Sequence, residues 1–100
     1  MLDITQKQLT IVQEILKTRV PNRTVLAFGS RAKGTATETS DLDLVILGDE
    51  PLSSEQRSGL KYDFDESLLP FTVDIAEWAS ISPEFCKVIT KKTITVQNSD

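Results

Sequence analysis

Histidine is absent from this chain, and cysteine occurs once, at Cys86. The first absence excludes Ser-His-Asp and Cys-His catalysis and leaves any metal site to oxygen ligands. The second excludes an intramolecular disulfide and a cysteine zinc site. Oxygen-only ligation favours Mg2+, Mn2+ or Ca2+. Cations are also scarce: 11 Lys and Arg stand against 15 Asp and Glu, a net charge of −4, and no basic run exceeds two residues. A sequence-independent grip on DNA or RNA needs clustered cations to release counterions, so direct nucleic-acid binding is not expected. A nucleotide held through a divalent cation remains compatible with this charge. No apolar stretch approaches membrane-spanning length. The opening Met-Leu-Asp-Ile-Thr-Gln has neither the basic start nor the apolar core of a signal peptide, so a cytoplasmic protein is expected.

One hundred residues, 39% hydrophobic and 26% charged, fit a single globular domain over residues 1–100. A chain of this size buries roughly 60–65% of its unfolded surface, which leaves a thin margin of stability.

Thr5 with Gln8 fits a capping box, and Leu9, Val12, Ile15 or Leu16 and Arg19 follow at helical spacing. The pattern predicts an amphipathic helix over about 5–19, stopped by Val20-Pro21. Thr24-Val25-Leu26-Ala27-Phe28 reads as a central strand, apolar on both faces. Gly29 ends it, and Ser30 is placed to cap a short helical turn through Arg31-Ala32-Lys33, closed by Gly34. Free N–H groups at such a start, with the Ser30 hydroxyl, form an anion site. The plainer alternative is a capped turn with no ligand.

A polar loop over residues 35–40 leads to a second strand, Asp41-Leu42-Asp43-Leu44-Val45-Ile46-Leu47. Side chains alternate across a strand, so Asp41 and Asp43 share one face. Such a pair repels unless a cation lies between them; otherwise it is a frayed, solvated strand end. Ser53 and Gln56 form a second capping box, and Leu60, Phe64 and Leu68 make the buried stripe of a helix over about 54–68. Tyr62, Asp63, Asp65 and Glu66 form its solvated face. After Pro70 comes a third strand, Phe71-Thr72-Val73-Asp74-Ile75-Ala76, with Asp74 inside an apolar run. A buried charge there needs a partner, either a basic side chain or a cation shared with Asp41 and Asp43. Trp78 is read as a core or rim anchor, with nucleobase stacking as the alternative. Ser82-Pro83 starts a third helix that buries Phe85, Val88 and Ile89, and Ile94-Thr95-Val96 adds an edge strand.

This alternation predicts an α/β (α+β) domain, a small mixed β-sheet flanked by helices. Asp41, Asp43 and Asp74 are expected to meet beside the Gly29-Ser30 turn. Three carboxylates facing a phosphate cradle suit two-metal phosphoryl or nucleotidyl transfer, with Asp74 nearest the incoming nucleophile as base or ligand.

Gly29-Ser30, ten residues, then Asp41-Leu42-Asp43 resembles the signature of the polymerase-β-type nucleotidyltransferase superfamily. Phe28-Gly29-Ser30-Arg31-Ala32-Lys33-Gly34, Ser40-Asp41-Leu42-Asp43-Leu44 and Val73-Asp74-Ile75 are similar to its minimal nucleotidyltransferase (MNT) branch. The resemblance implies a polymerase-β-like fold in which Gly29 and Ser30 hold the β- and γ-phosphates of ATP. It implies that Asp41 and Asp43 ligate magnesium, with Asp74 in the third acidic position, and that Arg31 or Lys33 touches the triphosphate or else is solvated. It further implies a hetero-oligomer with an all-helical HEPN toxin, which the MNT protein neutralises by transferring AMP to a tyrosine. Two rivals accompany this expectation: an antitoxin that acts by docking alone, and nucleotidyl transfer to a small molecule. A glycosyltransferase-type Asp-x-Asp is disfavoured by the Gly-Ser turn and the length.

Overall fold

The structure is a computed structural model and describes residues 2–99. Thr5 and Ser53 each accept a hydrogen bond from the backbone N–H three residues on, and Gln8 and Gln56 answer with theirs. Both predicted capping boxes are therefore closed. They start α1 (Gln6–Arg19) and α3 (Ser54–Asp65). Between these helices lie β1 (Val25–Phe28), the four-residue α2 (Ser30–Lys33) and β2 (Leu42–Ile46). After α3 come β3 (Val73–Glu77), a 3-10 turn (Trp78–Ser80), α4 (Pro83–Ile89) and β4 (Ile94–Gln97).

The strands form one mixed sheet in the order β3-β2-β1-β4. β1 runs antiparallel to β2 and β4, while β2 and β3 are parallel. A parallel neighbour requires a crossover, and α3 supplies it. One sheet face carries Val25, Ala27, Leu42, Leu44 and Ile46, which pack with Val12 and Leu16 of α1 and with Leu60 and Phe64 of α3. Arg19 ties the two helices together by donating to both Asp63 oxygens, at 2.6 and 3.1 Å. On the opposite face Val45 and Ile89 are buried, and Phe28 meets Phe85 edge to face at 6.0 Å. That face is only partly covered.

Four expectations change. Leu68 is 92% exposed because α3 ends at Asp65, where the Ser67 N–H and hydroxyl both take the Phe64 carbonyl. Of the apolar residues on α4, Ile89 alone is buried; Phe85, in contact with Phe28, and Val88 remain 40% and 51% exposed. The third strand begins at Val73 rather than Phe71, because the Phe71 ring is held beneath the Arg31 guanidinium. Lying at the sheet edge, it leaves Asp74 exposed rather than buried.

Candidate active site

The carboxylates gather on the half-open face through strand register. Asp43 lies between the helix-facing Leu42 and Leu44, so its side chain points away from α1 and α3. Its strand partners are Phe28 on β1 and Asp74 on β3. Asp41 stands just before β2, exposed, and close enough to Asp74 for its charge to act on that carboxyl. Burial pushes the Asp43 carboxyl above its ordinary value, and the charges of Asp74 and Asp41 push it further. Asp74 is raised by desolvation, then by the nearby Asp41 carboxylate, with Lys61 pulling the other way. Among the described salt bridges none involves Asp74, so the basic-partner alternative for this residue fails.

Gly29 makes room for Asp43. Its φ of +75° lies in the left-handed region that favours glycine, and a Cβ there would overlap Oδ2 of Asp43 and stand 3.3 Å from Cγ. The turn that follows is tight: the Ala32 and Lys33 N–H groups donate to the Gly29 carbonyl, at 3.1 and 3.0 Å. Gly29 is the N-cap, and Ser30 is the first helical residue rather than the cap. The Ser30 hydroxyl consequently caps nothing, and Gly34 closes the turn in the left-handed conformation.

Of the two cations assigned to the triphosphate, the structure separates one from the other. Arg31 is 6% exposed, and its guanidinium donates to the carbonyls of Ser40, Asp3, Thr37 and Glu38. It is neither solvated nor free to hold phosphate, which corrects that assignment. The carbonyls of the loop behind the turn and of Asp3 take its donors. Lys33 is exposed beside it. Trp78 is half-buried in the 3-10 turn and Tyr62 is 63% exposed on α3. Sequence reasoning missed Glu77, which accepts from the Leu52 N–H at 2.8 Å and from Arg57 at 2.7 and 3.0 Å. A single Glu after an apolar run offered no signal of that bridge.

The donor set fits a hard divalent cation: three carboxylates crowd together, two of them with raised affinity for a proton. Among the described residues they have not converged into a single ligand group. Pairwise crowding of this kind is what a cation relieves.

A compact mixed sheet with a Gly-Ser turn set against strand carboxylates defines the class as an α/β nucleotide-handling domain. Residues 9–96 match the model of the nucleotidyltransferase domain, and the chain belongs to that family. A protein of Haemophilus influenzae Rd, named probable protein adenylyltransferase MntA, is 46% identical over 99 residues, which cover 99% of this chain and 87% of that protein. A solved candidate minimal nucleotidyltransferase is 29% identical with a TM-score of 0.67, covering 91% of this chain and 95% of its own. The fold is also that of a chain in a toxin-antitoxin structure with AMP-PNP (TM-score 0.74, 22% identity, covering 92% of this chain and 74% of that one). It is likewise that of a chain in the complex of tri-AMPylated Shewanella oneidensis HEPN toxin with MNT antitoxin (TM-score 0.70, 20% identity, 96% and 74% covered).

Proposed function

We propose that this protein transfers AMP from ATP to a tyrosine hydroxyl of a helical HEPN-type toxin and thereby acts as its antitoxin. The observation that carries the reading is the register of Asp43 with Asp74, which brings both carboxylates near Asp41, with Asp43 over the Gly29 turn. The likeness to the Haemophilus protein adenylyltransferase, nearly end to end, supports a protein acceptor, and the fold shared with the MNT antitoxin bound to an AMPylated HEPN toxin supports a partner of that type.

In this reading the Ser30 hydroxyl and the turn backbone hold the β- and γ-phosphates, with Lys33 at their edge. Asp41, Asp43 and Asp74 would hold two magnesium ions; when bound, these neutralise the phosphates and polarise the α-phosphate. The acceptor oxygen forms a bond to the α-phosphorus as the bond to the β-phosphate bridge breaks, and pyrophosphate leaves. Asp74 lies nearest the incoming hydroxyl, as base or as ligand. A reaction that consumes ATP on a partner protein belongs in the cytoplasm.

The test is to co-express the tagged protein with its partner, recover the partner and weigh it intact, using Asp41→Ala with Asp43→Ala as control. Whole-AMP increments that appear with wild type and vanish with the double variant establish the activity. A stable complex of unchanged partner mass would establish docking instead.

A further inference from the structure

Arg31 is a buried cation that the reaction does not use. Among the described residues no carboxylate forms a salt bridge with it. Its charge is met by carbonyl dipoles and by the face of Phe71, whose ring centre lies 4.2 Å from Cζ. Burying a charge is a poor route to stability, since well-packed apolar replacements often do as well. What a guanidinium adds is a rigid planar fork that fixes several acceptors at once.

The acceptors matter for where they lie. Nε donates to the Ser40 carbonyl at 2.9 Å, one peptide bond before Asp41. Nη2 reaches the Thr37 and Glu38 carbonyls of the same loop, at 3.4 and 3.3 Å. Phe71, under the guanidinium, lies three residues before Asp74, and the Thr72 carbonyl beside it accepts from the Leu42 N–H at 2.9 Å. Arg31 itself follows Ser30 in the phosphate turn. Nη1 donates to the Asp3 carbonyl at 2.9 Å, and the Asp3 N–H returns a bond to the Arg31 carbonyl at 2.8 Å. One side chain thus touches all three segments that carry the site.

We infer that Arg31 is a positioning residue for nucleotidyl transfer: it sets Asp41 and Asp74 relative to the Ser30 turn through Ser40 and Phe71. The inference rests on the proposed function for what those groups do, but the positioning is measurable without turnover.

The experiment compares Arg31→Lys with Arg19→Lys, which breaks another carbonyl- or carboxylate-binding fork on the helix-packed side. Mn2+ binding to the protein alone is followed by electron paramagnetic resonance, and amide exchange is followed over residues 37–41. Transfer kinetics complete the set. Arg31→Lys is expected to weaken Mn2+ binding by about 10-fold, as loss of outer support for metal ligands commonly does. It is also expected to speed exchange over 37–41 and to lower kcat with little change in KM for ATP. Arg19→Lys should lower the melting temperature and leave Mn2+ affinity unchanged. Should Arg31→Lys not fold, Phe71→Leu must show the same changes at smaller size.

Wild-type Mn2+ affinity and exchange in both position-31 and position-71 variants would overturn the inference. So would an equal loss of Mn2+ affinity in Arg19→Lys, or a wild type that binds no Mn2+. A wild type that binds Mn2+ but transfers no AMP defeats the proposed activity alone, and the Mn2+ comparison still decides the positioning.

Discussion

Asp43 lies directly over Gly29, so that the backbone of the turn and the strand carboxylate approach with no side chain between them. Gly29 therefore meets two demands at once, a positive φ and a missing Cβ. Gly29→Ala is expected to strain the turn, costing about 1–3 kcal/mol for a non-glycine held at such a φ. It also displaces Asp43, and a misplacement of about 1 Å at a reacting centre lowers rate by about 100-fold. Urea unfolding and a transfer assay on the same preparation check both effects. A variant with normal turnover would sink the claim that the contact serves the site.

Asp43 and Asp74 both hold protons more tightly in the folded state than in the unfolded chain. Sign follows from that direction. Each makes the native state bind more protons, so its contribution to stability improves as pH falls through the raised value and worsens above it. At neutral pH the two therefore destabilise the metal-free protein. Asp43→Asn is expected to raise the metal-free melting temperature at pH 7 and to abolish transfer. Magnesium at about 100 times its Kd stabilises a native protein by about 2.7 kcal/mol, and this gain should appear in wild type and vanish in Asp43→Asn. Thermal melts with and without magnesium measure both effects.

Much of this site is legible in the sequence because its signals are local. Gly29, Ser30 and Gly34 announce a turn, the two capping boxes announce helix starts, and Asp41-Leu42-Asp43 fixes a face by alternation alone. The same-face placement of Asp43 and Asp74 follows once both strands are called. What stays hidden depends on partners far along the chain. Whether Asp74 is buried turns on β3 being an edge strand, a matter of sheet order. Whether Arg31 points to phosphate or to its own loop turns on the carbonyls that residues 37–40 and Asp3 present to it. Phe85 and Val88 carry a helical apolar pattern, yet the short α4 buries only Ile89.

Glu77 behaves oppositely to the site carboxylates. Its hydrogen bonds from Arg57 and then from the Leu52 N–H outweigh desolvation and hold its carboxyl below the ordinary value. The stability it contributes is full above the unfolded-state value and is lost as pH falls through the depressed one. Arg57 is half exposed, with 52% of its side chain in solvent, so screening discounts the ion pair. Glu77→Gln keeps an amide oxygen for the Leu52 N–H but loses the charge and one bond from Arg57, and is expected to cost about 0.5–1 kcal/mol at neutral pH. Urea titrations at neutral and strongly acid pH should show the gap between wild type and variant closing as acid is added. A gap that persists unchanged would remove the charge from this account.

Lys33 offers the sharpest contrast with Arg31, two residues away on the same turn. Its side chain is exposed, and no hydrogen bond or salt bridge among the described contacts engages it. Lys33→Ala should therefore change stability by less than about 0.5 kcal/mol, as exposed substitutions away from special features do. If its ammonium meets the triphosphate, that contact exists equally in the ground state and the transition state. Loss of such uniform binding raises KM for ATP and leaves kcat nearly unchanged. Arg31→Lys, by contrast, is expected to lower kcat through misplaced carboxylates. Steady-state kinetics on the two variants separate a group that binds nucleotide from one that holds the site in shape, and matching profiles would refute the division of labour.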